Sequence, residues 1–177
     1  LSDTTEVVLE NVRVPQSAVI GEVGQGMSIA LNALNLSRAF ISTLAVGIMQ
    51  RALDEAVAYA KQRKQFGRRL IDFEMVQQML ADMAIKTEAA RVLVNNCMRQ
   101  MDAGEMVRKD GAIVKTFVTD AMQEVVSDAV QVLGGYGYSE EYPVEKLMRD
   151  AKIFQIFEGS NQIQRMTIAK ELDREYQ

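Results

Sequence analysis

The scarcity of chain-breaking residues constrains the fold of this sequence more than any other feature. The 177 residues include only 2 prolines and 11 glycines. Because proline and glycine end helices and fill turns, so few of them favour long helices over many short strands. Hydrophobic residues make up 48% of the chain and charged residues 25%, which is the balance of a folded globular chain.

Composition also excludes several kinds of chemistry. The chain has no histidine, which rules out Ser-His-Asp and Cys-His catalysis and histidine-ligated metal sites. Cys97 is the only cysteine, so an intrachain disulfide or a thiolate metal cluster is impossible, and we expect a buried, inert thiol and no metal site. The net charge of −4 argues against nucleic-acid binding through bulk positive charge. No apolar run reaches the roughly 18 residues of a membrane span, so we predict none.

Apolar residues recur at helical spacing through most of the chain. Ile41, Leu44, Ala45, Ile48 and Ala52 form one stripe, and a second stripe later in the chain contains Val114, Phe117, Val118, Ala121 and Val125. The pattern predicts long helices over about 27–65, 73–101 and 105–133, and shorter ones over about 143–152 and 161–175. Short turns between long amphipathic helices are typical of an antiparallel four-helix bundle. We therefore predict a mainly α fold with a short N-terminal β remnant.

The first residues differ from the rest of the chain. Glu6–Val14 is rich in β-branched residues and ends at Pro15, which predicts a strand. A lone strand needs a sheet that the remaining sequence does not supply. The chain also begins without an initiator methionine or a signal-peptide pattern. We therefore expect a piece of a longer protein, with residues 1–24 as the end of a β domain and linker and residues 25–177 as the helical domain.

Two segments have the residue types that bind anions, and each also has a structural explanation. Lys61–Arg69 contains five cations in nine positions, which suits either a solvated helix end or a phosphate site centred on Arg63. Gln131–Tyr138 contains Gly134 and Gly135, which either let a ligand approach the backbone or end the preceding helix.

Two further residues are candidates because of their surroundings. Glu158 lies among apolar residues immediately before a predicted helix, where a carboxylate serves either as a general base or as part of the helix cap. Arg38 lies within an apolar helix stretch, and its guanidinium needs either an acidic partner or a route to solvent.

Four collinear segments together resemble one family. Arg63–Gly67, Gln131–Gly135, Tyr142–Lys152 and Phe157–Arg165 closely resemble the C-terminal half of the acyl-CoA dehydrogenases, and the resemblance covers nearly the whole chain. It implies a C-terminal four-helix bundle that follows a middle β domain. It also implies FAD-dependent conversion of an acyl-CoA to a trans-2-enoyl-CoA, electron-transferring flavoprotein as the electron acceptor, and a homotetramer. Bacterial cytoplasm and mitochondrial matrix both fit such an enzyme.

The resemblance also implies residue roles. Glu158 matches the catalytic base of the family. Some relatives place the base on the first long helix instead, but this chain has Ser37 there and no carboxylate, so the assignment goes to Glu158. Arg38 and Gly159 match the acyl-CoA site. The FAD contacts implied, several of them to the cofactor of a neighbouring subunit, are Arg63, Gln65, Phe66, Gln131, Gly134, Gly135, Ser160 and Gln162.

Two other functions stay open from the sequence. A helical bundle alone would lack most of a flavin site and would serve as a non-catalytic oligomerisation module. An acyl-CoA oxidase would use the same base and pass electrons to oxygen. The sequence leaves the length and branching of the acyl chain undetermined.

Overall fold

Long helices make up most of the structure, a computed structural model that describes residues 5–105 and 107–177. The α-helices within these ranges are α1 (Gly26–Gln62), α2 (Glu74–Asp102), α3 (Arg108–Leu133), α4 (Val144–Ala151) and α5 (Asn161–Glu175). Two short antiparallel strands, β1 (Lys64–Gln65) and β2 (Arg68–Arg69), follow α1. The predicted mainly α fold is confirmed.

The core forms where α1 packs along α3, with α2 against both and with α4 and α5 against α3. Small side chains allow this close approach, because Ala39, Ala45, Ala52, Ala56 and Ala60 of α1 are fully buried. The facing side of α3 supplies larger aliphatic side chains that fill the space between the helices. Those that are fully buried include Val118, Met122, Val125 and Val126.

One face of α1 stays uncovered in this chain. Leu44, which the sequence placed on the inner stripe, is 63% exposed, and Phe40 beside it is 53% exposed. Phe117 on α3 was also expected inside and is 41% exposed. Helical spacing gives the direction of a side chain but does not reveal whether a partner covers that direction.

By length and composition alone, α1 is apolar enough to cross a membrane, although the sequence pattern predicted no span. Core helices share both properties. Within this helix, Arg38 and Ser42 are buried, and the Ser42 hydroxyl donates to the Arg38 carbonyl at 2.7 Å. Protein groups therefore satisfy these polar side chains.

The strand predicted over Glu6–Val14 does not form. Residues 5–10 have no regular secondary structure, and Val7, Val8 and Leu9 are largely exposed. A strand requires a hydrogen-bonded partner, and no described residue provides one. The assignment of residues 1–24 to another domain stays a prediction, and residues 1–4 lie outside the described part.

The first helix ends at Gln62, three residues earlier than expected, because a tight hairpin follows it. Lys64 pairs with Arg69 and Gln65 with Arg68. The two residues at the tip, Phe66 and Gly67, have φ angles of 52° and 80°. Positive φ at both central positions is the geometry of a type I′ turn, which matches the twist of paired strands. The hairpin therefore displays Phe66 at its tip.

Candidate active site

A sharp turn before α5 places the candidate base. Glu158 and Gly159 have φ angles of 58° and 85°, so two successive residues are left-handed. Only glycine adopts this region without cost, and a glutamate held there is a strained position. Ser160 then caps α5, because its side-chain oxygen accepts a hydrogen bond from the Ile163 amide at 3.4 Å.

The half-buried carboxylate of Glu158 lies against α1. The Ser37 hydroxyl donates to Oε2 of Glu158 at 2.6 Å. Ser37 thus joins α1 to the candidate base. The backbone carbonyl of Glu158 accepts from Nε2 of Gln164 at 3.0 Å and from Nε of Arg38 at 3.4 Å.

Arg38 is largely buried and has protein partners. Its side chain is buried, and Nη1 donates to Oδ1 of Asn35 at 2.9 Å. Burial lowers the pKa of Arg38, and Arg108 lowers it further, whereas Glu158 acts in the opposite direction. Asn35, Arg38 and Arg108 line an open cavity of about 330 Å³ together with residues of α1 and α5. The buried guanidinium thus lies between this cavity and the Glu158 turn.

A buried lysine that sequence reasoning missed lies under the same turn. Lys115 of α3 is 0% exposed, and its ammonium donates to the Gly159 carbonyl at 3.0 Å and to Oδ1 of Asn161 at 2.7 Å. The pKa of Lys115 is lowered to about 8, mainly by desolvation and also by Arg38, against the opposing effects of Asp120 and Glu158. Helical spacing contained a signal, because Lys115 shares a face with the buried residues Thr119 and Met122.

Asn161 connects Lys115 to a carboxylate. Its Nδ2 donates to Oδ1 of Asp120 at 2.7 Å and to the Thr119 hydroxyl at 2.8 Å. The other Asp120 oxygen accepts from Arg165 at 2.6 Å. Burial would raise the pKa of Asp120, but hydrogen bonds from Arg165, Asn161 and Gln155 outweigh burial and lower it. Asp120 therefore stays charged at neutral pH.

Several of the predicted cofactor residues meet at the other end of α1. Arg63, Gln65, Gly134 and Gly135 line one cavity of about 620 Å³. The Arg63 guanidinium lies 5.6 Å from the centre of the Tyr136 ring, close enough for a cation–π contact. A side chain added at Gly134 or Gly135 would meet no atom within 4 Å. Their backbone therefore faces open space.

Four predicted cofactor residues lie outside this cavity, and one of them, Ser160, is the cap of α5 described above. Phe66 is 92% exposed and meets Phe73 edge-on at 6.4 Å between ring centres. Gln131 is exposed on the last turn of α3 and does not line the cavity. Gln162 is exposed on the first turn of α5, next to the Ser160 cap.

The two clusters lie far apart within one chain. Arg38 and Gln62 are 24 residues apart on α1, and a rise of 1.5 Å per residue separates them by about 36 Å. The clusters around Glu158 and Arg63 therefore cannot contact the same reacting atoms of one small ligand in a single chain.

Comparison with known proteins identifies the family. Residues 24–172 match the model of the acyl-CoA dehydrogenase C-terminal domain. This chain belongs to the acyl-CoA dehydrogenase family. The Glu158 turn and the Arg63 cavity both lie within the matched residues.

Relatives and solved structures agree with that membership. A probable acyl-CoA dehydrogenase of Mycobacterium tuberculosis is 49% identical over 98% of this chain and 45% of its own length. The caffeyl-CoA reductase-Etf complex subunit CarC of Acetobacterium woodii is 42% identical over 94% of this chain and 44% of its own. Butyryl-CoA dehydrogenase from Megasphaera elsdenii superposes with a TM-score of 0.91 at 44% identity, over 93% of this chain and 43% of that one. The chain thus spans less than half the length of these relatives.

The Arg63 cavity has the groups that a flavin dinucleotide would need. Acyl-CoA dehydrogenases are FAD-dependent. A pyrophosphate is recognised by guanidinium groups and by backbone N–H groups that a ligand can approach closely. Arg63 supplies the first. The Gly134 amide already donates to the carbonyl groups of Val130 and Gln131, but the open space beside Gly134 and Gly135 lets a ligand approach the backbone closely. These residues fit the adenosine diphosphate part of FAD.

Proposed function

We propose that this chain is the C-terminal part of an FAD-dependent acyl-CoA dehydrogenase, in which Glu158 is the catalytic base. The enzyme would remove hydrogen from the α and β carbons of an acyl-CoA and give a trans-2-enoyl-CoA. The observation that carries the proposal is the sharp turn that holds the Glu158 carboxylate against Ser37 and beside buried Arg38. Family membership supports it.

The roles follow from the arrangement of the turn. The carboxylate of Glu158 would accept the α-proton, while its own backbone N–H would donate to the thioester oxygen and stabilise the charge that develops there. FAD, when bound, would supply the acceptor for the hydride from the β carbon. Gly159 keeps the turn narrow, because an added Cβ would lie 2.6 Å from Nε2 of Gln164. Arg38 would fix the acyl-CoA from the cavity side.

The separation of the two clusters supports an oligomer in which sites are shared. Because Arg63 lies about 36 Å along α1 from the Glu158 cluster, we propose that the Arg63 cavity contacts the FAD of a neighbouring copy, as in a homotetramer. Ser160 and Gln162, which lie next to Glu158, would instead contact the flavin at the chain's own active site. The name of the Acetobacterium relative, a subunit of a complex with Etf, supports electron-transferring flavoprotein as the electron acceptor.

The test replaces Glu158 with glutamine in the complete protein. Glutamine keeps the size of the side chain but cannot accept the proton, so we expect turnover of an acyl-CoA to fall about 10²- to 10⁴-fold. Flavin absorbance should stay at the wild-type level. Glu140→Gln, an exposed glutamate on the same chain, is the matched control and should keep wild-type turnover.

Three outcomes would contradict the proposal. Normal turnover of Glu158→Gln would remove Glu158 as the base. Absence of flavin and of enoyl-CoA product in the wild-type complete protein would favour a non-catalytic oligomerisation module. Stoichiometric peroxide in place of reduced electron-transferring flavoprotein would favour an acyl-CoA oxidase.

A further inference from the structure

Lys115 is a buried charge that the proposed proton transfer does not use. It is the largest of the fully buried side chains in the described part of the structure. Both of its hydrogen bonds go to neutral oxygens, those of the Gly159 backbone and the Asn161 side chain. Removing an ammonium from water without a direct carboxylate partner costs stability, and an apolar side chain of similar volume would avoid that cost. Retention of such a group at a site suggests a role beyond packing.

The contacts of Lys115 enclose the turn that contains the candidate base. Its two acceptors lie on either side of Ser160, because one belongs to Gly159 and the other to Asn161. Gln164 reaches the same turn from α5, and its Nε2 lies 3.0 Å from both the Glu158 and the Gly159 carbonyl oxygens. The two left-handed residues are thus fixed through their carbonyl groups.

The side-chain amide of Asn161 connects the ammonium of Lys115 to the carboxylate of Asp120. Oδ1 of Asn161 accepts from Lys115, while Nδ2 of the same side chain donates to Asp120. Arg165 holds the second oxygen of Asp120. Asn161 can join the lysine and the aspartate because one end of its amide accepts and the other donates. An alanine at position 161 would lack both functions.

We propose that Lys115 is a positioning residue, which acts with Asn161 and Asp120 to fix the Glu158–Gly159 turn so that the carboxylate stays against Ser37. The inference rests on the proposed role of Glu158 as the base. Because Glu158 is held in a left-handed conformation that only glycine adopts without cost, the turn needs donors that fix its carbonyl groups. In this arrangement Lys115 acts on the base through the Gly159 carbonyl group and the Asn161 side chain.

The test compares Lys115→Met with Lys86→Met in the complete, FAD-loaded protein. Lys86 is the matched control because its ammonium pairs with Glu124 at 2.7 Å and is partly exposed. Misplacement of a reacting group by about 1 Å can cost 10²-fold in rate. We therefore expect kcat of Lys115→Met to fall at least tenfold while KM for the acyl-CoA stays within about twofold. Lys86→Met should keep both values.

A second readout does not depend on turnover. Backbone hydrogen exchange of residues 156–163, followed by mass spectrometry without substrate, should be faster in Lys115→Met than in wild type and unchanged in Lys86→Met. Asn161→Ala should show the same two effects to a smaller extent. If Lys115 and Asn161 act as one unit, kcat of the double variant Lys115→Met/Asn161→Ala should be no lower than kcat of Lys115→Met. If Lys115→Met does not fold, Asn161→Ala carries the test with the same measurements.

Wild-type kcat and unchanged exchange in Lys115→Met or, where that variant does not fold, in Asn161→Ala would overturn the inference. An increase in KM with unchanged kcat would also overturn the inference, because that result would indicate a loss of substrate binding rather than of positioning. Glu158→Gln separates this failure from failure of the proposed function. If Glu158→Gln abolishes turnover while Lys115→Met does not, the base role stands and the positioning role falls.

Discussion

Two lysines of this bundle should respond to pH in opposite directions. Lys115 is fully buried against neutral oxygens, and desolvation lowers its pKa to about 8 from an ordinary value of 10.5. Lys86 lies near the surface, and a hydrogen bond to Glu124 raises its pKa. The two therefore contribute to the free energy of unfolding with opposite dependence on pH.

The sign and size follow from which state holds the proton. Below about pH 8, Lys115 is protonated in both states and the desolvation penalty is fully present. Between about pH 8 and 10.5 only the unfolded chain stays protonated, so the free energy of unfolding increases with pH. A difference of about 2.5 pKa units corresponds to about 3 kcal/mol. The contribution of Lys86 is present below pH 10.5 and is lost as the pH rises through its raised pKa.

The assay is urea unfolding of the 177-residue chain and of its Lys115→Met and Lys86→Met variants, at intervals from pH 7 to pH 11. Subtracting each variant from wild type removes the titration of all other groups. From pH 7 to 10.5 the wild type should gain about 3 kcal/mol relative to Lys115→Met. It should lose stability relative to Lys86→Met only near the top of the range. A difference for Lys115→Met that stays constant with pH would refute the reasoning, because the ammonium would then be as well solvated as in the unfolded chain.

Three further perturbations test other features. Gly137→Ala should destabilise the chain by about 1–3 kcal/mol in thermal unfolding, because an added Cβ would lie 2.6 Å from the Val130 carbonyl oxygen. Gly135→Ala is the control, because its added Cβ meets no atom within 4 Å, and equal unfolding midpoints for the two variants would contradict the close approach at Gly137. Ser37→Ala should reduce kcat of the complete protein several-fold because it removes the hydrogen bond to Glu158, whereas Ser37→Thr keeps a hydroxyl and should keep that bond. Equal kcat values in the wild type and both variants would show that this bond does not orient the base. Arg63→Ala should weaken FAD retention about tenfold or more in ultrafiltration, because a charge-assisted bond to phosphate would be lost. An unchanged flavin content would show that the cofactor binds elsewhere.

The helical part of the fold was predictable because its signals are local. The scarcity of breakers and the 3.6-residue repeat gave all five helices nearly in place. The end of α1 was misplaced by three residues, because the hairpin depends on left-handed φ angles at Phe66 and Gly67, and phenylalanine does not signal such a conformation. The exposure of Leu44 and Phe117 was not predictable from periodicity, which does not show where a helix lacks a neighbour.

The candidate site was predictable only in part, for a related reason. Glu158, Arg38 and Arg63 stand out because a charge beside apolar residues or other cations is visible in one segment of sequence. Lys115 has partners that lie 44 and 46 residues later in the chain, and a lysine in a helix is ordinarily solvated. Its contacts with the turn emerge only when α3 and the turn before α5 are placed together.

If neighbouring copies share sites as proposed above, the length of α1 has a genetic consequence. In such an oligomer, each catalytic centre takes position 158 from one copy and position 63 from its neighbour. Suppose that one copy has Glu158→Gln and that the neighbour has Arg63→Ala. One centre of the mixed pair would then combine both defects, and the other would combine two intact residues. Two inactive variants expressed together would recover a share of the wild-type rate, as in complementation between alleles.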